Sequence, residues 1–215
     1  MKVKVKICGI TSNKDLATAV EAGADAVGFV VNVPSSPRNL TPEKAEKMMK
    51  NTPVPVKNVV VAVPKSLSEL IEVYKRLRPD ILQIHGHNLL DSAIREKLAN
   101  TCLIRAVQAK SDRVVEDAVK ATNTFDAVLV DSFVSGKLGG TGRVHDWELS
   151  RRVKQLIHPK PLILAGGLNP ENVRDAVRAV QPYAVDVSTG VESRPGVKDP
   201  EKVFAFIRNA KEVEV

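Results

Sequence analysis

The sequence is poor in everything that would send a chain into a membrane, out of the cell or onto nucleic acid. No apolar run approaches the roughly 20 residues that cross a bilayer, so no membrane partner is expected. The opening Met1-Lys2-Val3-Lys4 has neither an apolar run nor a small-residue cleavage site, which predicts no signal peptide and a cytoplasmic location. The two cysteines, Cys8 and Cys102, are too few for a disulfide framework and show no metal-ligand spacing. Aromatic residues make up only 4%, and no basic run exists although the formal net charge is +7. The basic residues are spread over helical stretches and mixed with Asp and Glu, which argues against nucleic acid and for an anionic small molecule. No Pro-, Gly- or Ser-rich linker divides the chain, so residues 1–215 are expected to form one domain.

What is present is a regular alternation. β-Branched runs at Val3–Ile7, Ala26–Val30, Asn58–Val63, Ile81–Ile84, Leu103–Val107, Ala127–Val130, Pro161–Leu164 and Val185–Val187 read as eight strands. Helical patterns follow them at Asp15–Ala22, Pro42–Lys50, Leu67–Leu77, Ser92–Ala99, Val114–Ala121, Trp147–Ile157, Pro170–Val180 and Pro200–Ala210. Thr41-Pro42, Asn169-Pro170 and Asp199-Pro200 each place a capping residue before a proline at a helix start. An Asp precedes strands 2, 4 and 6, at Asp25, Asp80 and Asp126, and the stretch Pro182-Tyr183-Ala184 echoes them more loosely before strand 8. That double-unit period predicts a closed α/β fold of eight parallel strands and eight helices, a (β/α)8 TIM barrel, rather than an open sheet.

In such a barrel the chemistry lies at the C-terminal ends of the strands. Strand 1 ends in Cys8 and strand 6 in Asp131. A thiol and a carboxyl facing each other there make a base and an acid, the pair that an aldose-to-ketose shift needs, and suggest a sugar-phosphate isomerase. The alternation of strand 1 points Lys6 inward beneath Cys8, and that of strand 8 puts Asp186 on the side of Ser188. We therefore expect a Lys6–Asp186 pair inside the barrel, with the ammonium favouring the Cys8 thiolate. Asp131 can serve as the acid only if its pKa is raised, for instance by burial. The glycine-rich 136–142 segment after Asp131 reads as a flap, with Asp146 capping helix 6 and Trp147 anchoring the flap's end. Gly166-Gly167 after strand 7 and Ser188-Thr189-Gly190 after strand 8 suit a phosphate. His85 faces inward with Gln83, and is either a substrate contact or a packing group. Cys102 reads as a small buried hydrophobe.

The residues then match a family. Lys6-Ile7-Cys8-Gly9-Ile10-Thr11, Gly28-Phe29, Ser36-Pro37-Arg38, Gln83-Ile84-His85-Gly86 and Val130-Asp131-Ser132 occur in order. Gly139-Gly140-Thr141-Gly142 with Asp146-Trp147, Ala165-Gly166-Gly167-Leu168 and Asp186-Val187-Ser188-Thr189-Gly190-Val191-Glu192 follow. Together they resemble phosphoribosylanthranilate isomerase over nearly the whole chain. The resemblance implies an Amadori rearrangement in tryptophan biosynthesis, with Asp131 as general acid and Cys8 as general base. It further implies Arg38 as a contact to the anthranilate moiety, and Gly167, Asn169, Ser188 and Gly190 as phosphate holders. It implies a small phosphoribosyl substrate and no metal or organic cofactor. The sequence leaves monomer and homodimer both open.

Three rival readings need other residues at the strand ends or none in particular. A phosphoribosyl isomerase of histidine biosynthesis would pair two Asp residues, where strand 1 here ends in Cys8. A metal-dependent pentose-phosphate epimerase needs several His and Asp ligands on strand ends. A non-catalytic phosphate-binding barrel would be indifferent to Cys8 and Asp131.

Overall fold

Runs of alternating inward and outward apolar residues become strands here because each face has its own core to enter. In the computed structural model, which describes residues 2–86, 92–109, 113–131 and 147–214, the eight long strands are all parallel. They are β1 (Lys4–Cys8), β2 (Ala26–Val31), β3 (Lys57–Ala62), β4 (Ile81–Ile84), β5 (Cys102–Gln108), β6 (Ala127–Asp131), β7 (Leu162–Ala165) and β8 (Ala184–Val187). β1 pairs with both β2 and β8, which closes the sheet into a barrel. The helices between and after them are α1 (Asn13–Glu21), α2 (Pro42–Met49), α3 (Leu67–Leu77), α4 (Ser92–Lys97), α5 (Arg113–Ala121), α6 (Trp147–Ile157), α7 (Val173–Val180) and α8 (Pro200–Lys211). Among the described residues no helix is long and apolar enough to cross a membrane.

Two layers of core result. Outward residues such as Val5, Ile7, Val27, Phe29, Leu82 and Ile84 join the helices in one large cluster. Inward residues form two smaller clusters, one around Ile104, Leu129 and Ile163 and one around Cys8, Val30, Val59 and Val61, with Ile81 packed against both.

The repeated aspartates acquire a physical reason at the N-terminal rim. The Asp25 carboxylate accepts the Val5 amide at 2.9 Å, Asp80 accepts Asn58 at 2.8 Å, and Asp126 accepts Leu103 at 2.8 Å. Each thus holds the second residue of the preceding odd-numbered strand, where an orphaned amide would otherwise be costly. Tyr183 stands in the corresponding place before β8 and cannot accept in this way, which is why the fourth echo is loose.

Helix starts follow their capping residues. Ser12, Thr41, Ser66 and Asp199 each accept a backbone N–H three residues on, at 3.1 to 3.3 Å, each worth about 1 kcal/mol. The helix expected from Pro170 begins later, at Val173. There the Asn169 side chain accepts the amides of Glu171 and Asn172 and holds the intervening residues in a turn instead of a helical first turn.

The structure adds short elements that the sequence pattern did not predict. Asn39–Leu40 pairs beside β2, and a hairpin of Glu192–Arg194 and Val197–Lys198 lies between β8 and α8. The glycine-rich 136–142 segment, Ser132, Asp146, His87 and His145 lie outside the described residues.

Candidate active site

Cys8 occupies the last position of β1, facing the barrel interior, and is buried. Its space comes from Gly28, its register partner on β2. A Cβ at Gly28 would stand 2.8 Å from the Cys8 sulfur and 3.1 Å from Lys6 Cε. The Gly28 carbonyl accepts the amides of both Gly9 and Ile10 at 2.9 Å, so the chain turns immediately after the thiol.

Beneath Cys8, Lys6 Nζ lies 2.9 Å from Asp186 Oδ2, with both side chains less than one-tenth exposed. Lys6 and Asp186 are register partners on β1 and β8, so the expected pair forms. Burial presses the Lys6 ammonium down, but Asp186 and Cys8 lift it further and leave it above its ordinary value. The other carboxylate oxygen, Asp186 Oδ1, is buried and has no hydrogen-bond partner among the described residues. Lys6 does favour the Cys8 thiolate, as expected, but burial outweighs it. Burial pushes the thiol up, Lys6 and Lys198 pull it down, Asp186 pushes it up, and the thiol ends above its ordinary value.

Asp131, at the end of β6, lies three strands from β1 by way of β7 and β8, across the barrel mouth. Burial pushes its carboxyl up, Asp186 adds to this, Lys6 opposes it, and the result is about 6. A carboxyl of that kind holds a proton close to neutral pH, as an acid catalyst must. His85, just past β4, has its Nε2 2.8 Å from Gln83 Nε2, so the amide donates and the ring nitrogen accepts. Burial, with Lys6 and Arg105, lowers its pKa to about 4, which keeps the ring neutral. Arg105 is an unexpected buried cation on the outer side of β5; it donates to the Gly86 carbonyl, and its Nε and Nη1 have no hydrogen-bond partner among the described residues.

The loops after β7 and β8 meet. Gly167 adopts φ +65°, which favours glycine. A side chain at Gly190 would run into the Leu168 carbonyl, so only glycine lets these loops touch. Ser188 Oγ is buried, with no hydrogen-bond partner among the described residues, 2.9 Å from where a Gly9 Cβ would be. The Asn169 side-chain oxygen accepts in the turn before α7, while the Asn169 backbone N–H donates to Asn172 Oδ1 at 2.9 Å.

Arg38 reaches the same corner. Its Nε and Nη2 fork onto the Glu192 carboxylate at 2.7 and 2.6 Å, and Nη2 also approaches Thr189 Oγ1 at 3.5 Å. Its Nη1 makes no hydrogen bond among the described residues. Among those residues, no group of three His, Cys, Asp or Glu is placed to hold a metal.

A family model described as N-(5'phosphoribosyl)anthranilate (PRA) isomerase matches residues 5–209. The chain belongs to this family. It is 44% identical to the N-(5'-phosphoribosyl)anthranilate isomerase of Methanothrix thermoacetophila, over 97% of this chain and 98% of that protein. It is 41% identical to the one of Methanosarcina acetivorans, over 98% and 94% respectively. Among solved structures, phosphoribosyl anthranilate isomerase from Thermotoga maritima superposes with a TM-score of 0.88 at 38% identity, covering 98% of this chain and all of that one. A family structure in complex with reduced 1-(o-carboxyphenylamino)-1-deoxyribulose 5-phosphate covers the same shares, with a TM-score of 0.84 at 37% identity.

Of the family-motif residues picked out in the sequence, Cys8, Arg38 and Ser188 converge on the β1–β2–β8 side of the barrel mouth. Gly167 and Gly190 lie in the touching loops beside them, and Asp131 and His85 line the rest. The side-chain oxygen of Asn169 is engaged in the turn before α7. Sequence reasoning gave no role to Gly28, although it stands in a quoted motif and makes room for the thiol, or to Glu192 with Lys198, which hold Arg38 and the Ser188 carbonyl. Glu192 ends a quoted motif, yet a lone acid and a lone lysine carry no signal of pairing. Cys102 is exposed at the first position of β5, where the strand has not yet entered the barrel.

Proposed function

We infer that the chain catalyses the Amadori rearrangement of N-(5-phosphoribosyl)anthranilate to 1-(2-carboxyphenylamino)-1-deoxyribulose 5-phosphate in tryptophan biosynthesis. The observation that carries this reading is the pairing of a carboxyl held near pKa 6 at Asp131 with the buried thiol Cys8, both under the field of the Lys6–Asp186 pair. Asp131 protonates the ribose ring oxygen, and the ring opens to an iminium. Cys8 removes the C2′ proton to give an enolamine, which tautomerises to the ketone. For that step the thiol must be ionised, and Lys6 beside it is the cation that most favours this. The free Nη1 edge of Arg38 meets the anthranilate carboxylate, a geometry suited to a planar fork. Gly167, Ser188 and Gly190 receive the phosphate, and Asn169 serves it by holding the turn. His85, neutral, offers the substrate a hydrogen-bond donor from Nδ1.

Proton transfers alone relocate the carbonyl, so no metal or organic cofactor is called for. Residues 1–215 act as one barrel domain, in the cytoplasm, on a small phosphoribosyl substrate rather than nucleic acid, as a monomer or homodimer. The test offers purified protein freshly made phosphoribosylanthranilate and, in parallel, the isomerase substrate of histidine biosynthesis. Rapid loss of the first compound's fluorescence with no turnover of the second supports the reading. Turnover of the second alone overturns it.

A further inference from the structure

The side chain of Lys198 is 0% exposed, and the reaction above gives it no direct contact with substrate. It sits on the second arm of the hairpin that follows β8. The turn of that hairpin is Pro195-Gly196, and Gly196 at φ +80° fits the left-handed position of a type II turn. The turn is clamped onto the active-site loops. Thr11 Oγ1 donates to the Gly196 carbonyl at 2.5 Å, and a Cβ on Gly196 would stand 2.9 Å from the Pro37 carbonyl, beside Arg38. From this platform Lys198 Nζ reaches Glu192 Oε1 at 3.0 Å and the Ser188 carbonyl at 3.1 Å. Glu192 Oε1 also accepts from Arg38 Nε at 2.7 Å. One ammonium therefore touches the support of the arginine and the backbone of the loop carrying Ser188.

We propose that Lys198 is a positioning residue. Through Glu192 it fixes the direction of Arg38's free Nη1 edge, and through the Ser188 carbonyl it fixes the loop that receives the phosphate. This rests on the reading of Arg38 and Ser188 given above. Removing Lys198 leaves Glu192 held from one side only, so the guanidinium and the loop lose a shared reference. Contacts to the two ends of a substrate are equally strong in its ground and transition states. Their loss raises KM and leaves kcat nearly unchanged.

The experiment is steady-state kinetics on phosphoribosylanthranilate for wild type, Lys198→Met, Lys198→Arg, Glu192→Gln and the double variant Lys198→Met/Glu192→Gln, each checked for folding by circular dichroism and thermal unfolding. Expected for Lys198→Met is a KM raised about tenfold or more, with a smaller fall in kcat from the loss of its minor pull on the Cys8 thiol. Lys198→Arg, which keeps the charge, recovers most of the affinity. Because the two residues act through one contact, the double variant is no more than about twofold worse in KM than the more affected single. A folded Lys198→Met with wild-type KM overturns the proposal, and so does a loss in kcat alone or KM effects that multiply in the double variant. Should Lys198→Met not fold, Glu192→Gln carries the same expectation, and a wild-type KM there overturns it. Wild-type protein with no turnover at all refutes the functional reading and the proposal together, whereas normal turnover with an indifferent Lys198 refutes the proposal alone.

Discussion

Asp131→Asn should stabilise the protein, and by an amount that grows with pH. Burial and the neighbouring Asp186 hold the Asp131 carboxyl at about 6, against an ordinary value of 3.8. The unfolded chain therefore releases this proton first, and rising pH favours unfolding through this group. Its contribution is full below pH 3.8 and is lost as pH rises through about 6. The difference of about 2.2 between the two values, at about 1.4 kcal/mol each, amounts to about 3 kcal/mol lost by pH 7. About half is already lost at pH 5. Asn cannot ionise and escapes this term. Thermal or denaturant unfolding of both proteins from pH 3.5 to 7.5 measures it. The variant should gain on the wild type across that range, by roughly 6–12 °C in Tm for a chain of this size. Any constant offset from altered hydrogen bonding cancels in the comparison. Parallel curves would refute the claim that Asp131 is held protonated by its surroundings.

Other outcomes follow from the same geometry. The productive form, with Asp131 protonated and Cys8 ionised, carries as many protons as the more abundant form with the charges exchanged. kcat/KM should therefore fall below pH 6 and stay flat from about 6 to beyond the ordinary thiol value of 9.0. A maximum at 6 with a decline toward 8 would contradict it. Gly28→Ala puts a methyl 2.8 Å from the Cys8 sulfur. It should cost about 1–3 kcal/mol in denaturant unfolding and about a hundredfold in kcat/KM, and wild-type turnover would count against the tight fit described. Lys6→Met strands a buried carboxylate and should cost about 3–5 kcal/mol. Adding Asp186→Leu should restore most of that stability in the same denaturant assay, because the orphaned charge is then gone.

Much of the fold was legible because closure and alternation are strong constraints. Lys6 and Asp186 could be paired from sequence once strands 1 and 8 were taken as neighbours and each strand's inward face was assigned. The Asp25, Asp80 and Asp126 repeat was visible before its purpose, which is to satisfy an amide on the adjacent strand. The hairpin of Glu192–Arg194 and Val197–Lys198 was not legible, since arms of three and two residues carry no periodicity. For the site, residue types and strand ends singled out Cys8 and Asp131, and the family resemblance added Arg38. The sign of the Cys8 shift was not legible, because it depends on how burial weighs against Lys6, and burial is a property of the packed molecule. The Asn169 side chain went to its own turn, a local choice that an Asn-Pro sequence permits equally with a cap.

The most direct test of the acid–base pair is the initial rate of fluorescence decay of fresh phosphoribosylanthranilate with wild type, Cys8→Ser and Asp131→Asn. The proposed roles require fast turnover by the wild type and a kcat/KM lowered by about 10²–10⁴-fold in each folded variant. A folded variant of either residue that stays within a few-fold of the wild type would contradict its assigned role, and an inactive wild type would contradict the reaction itself.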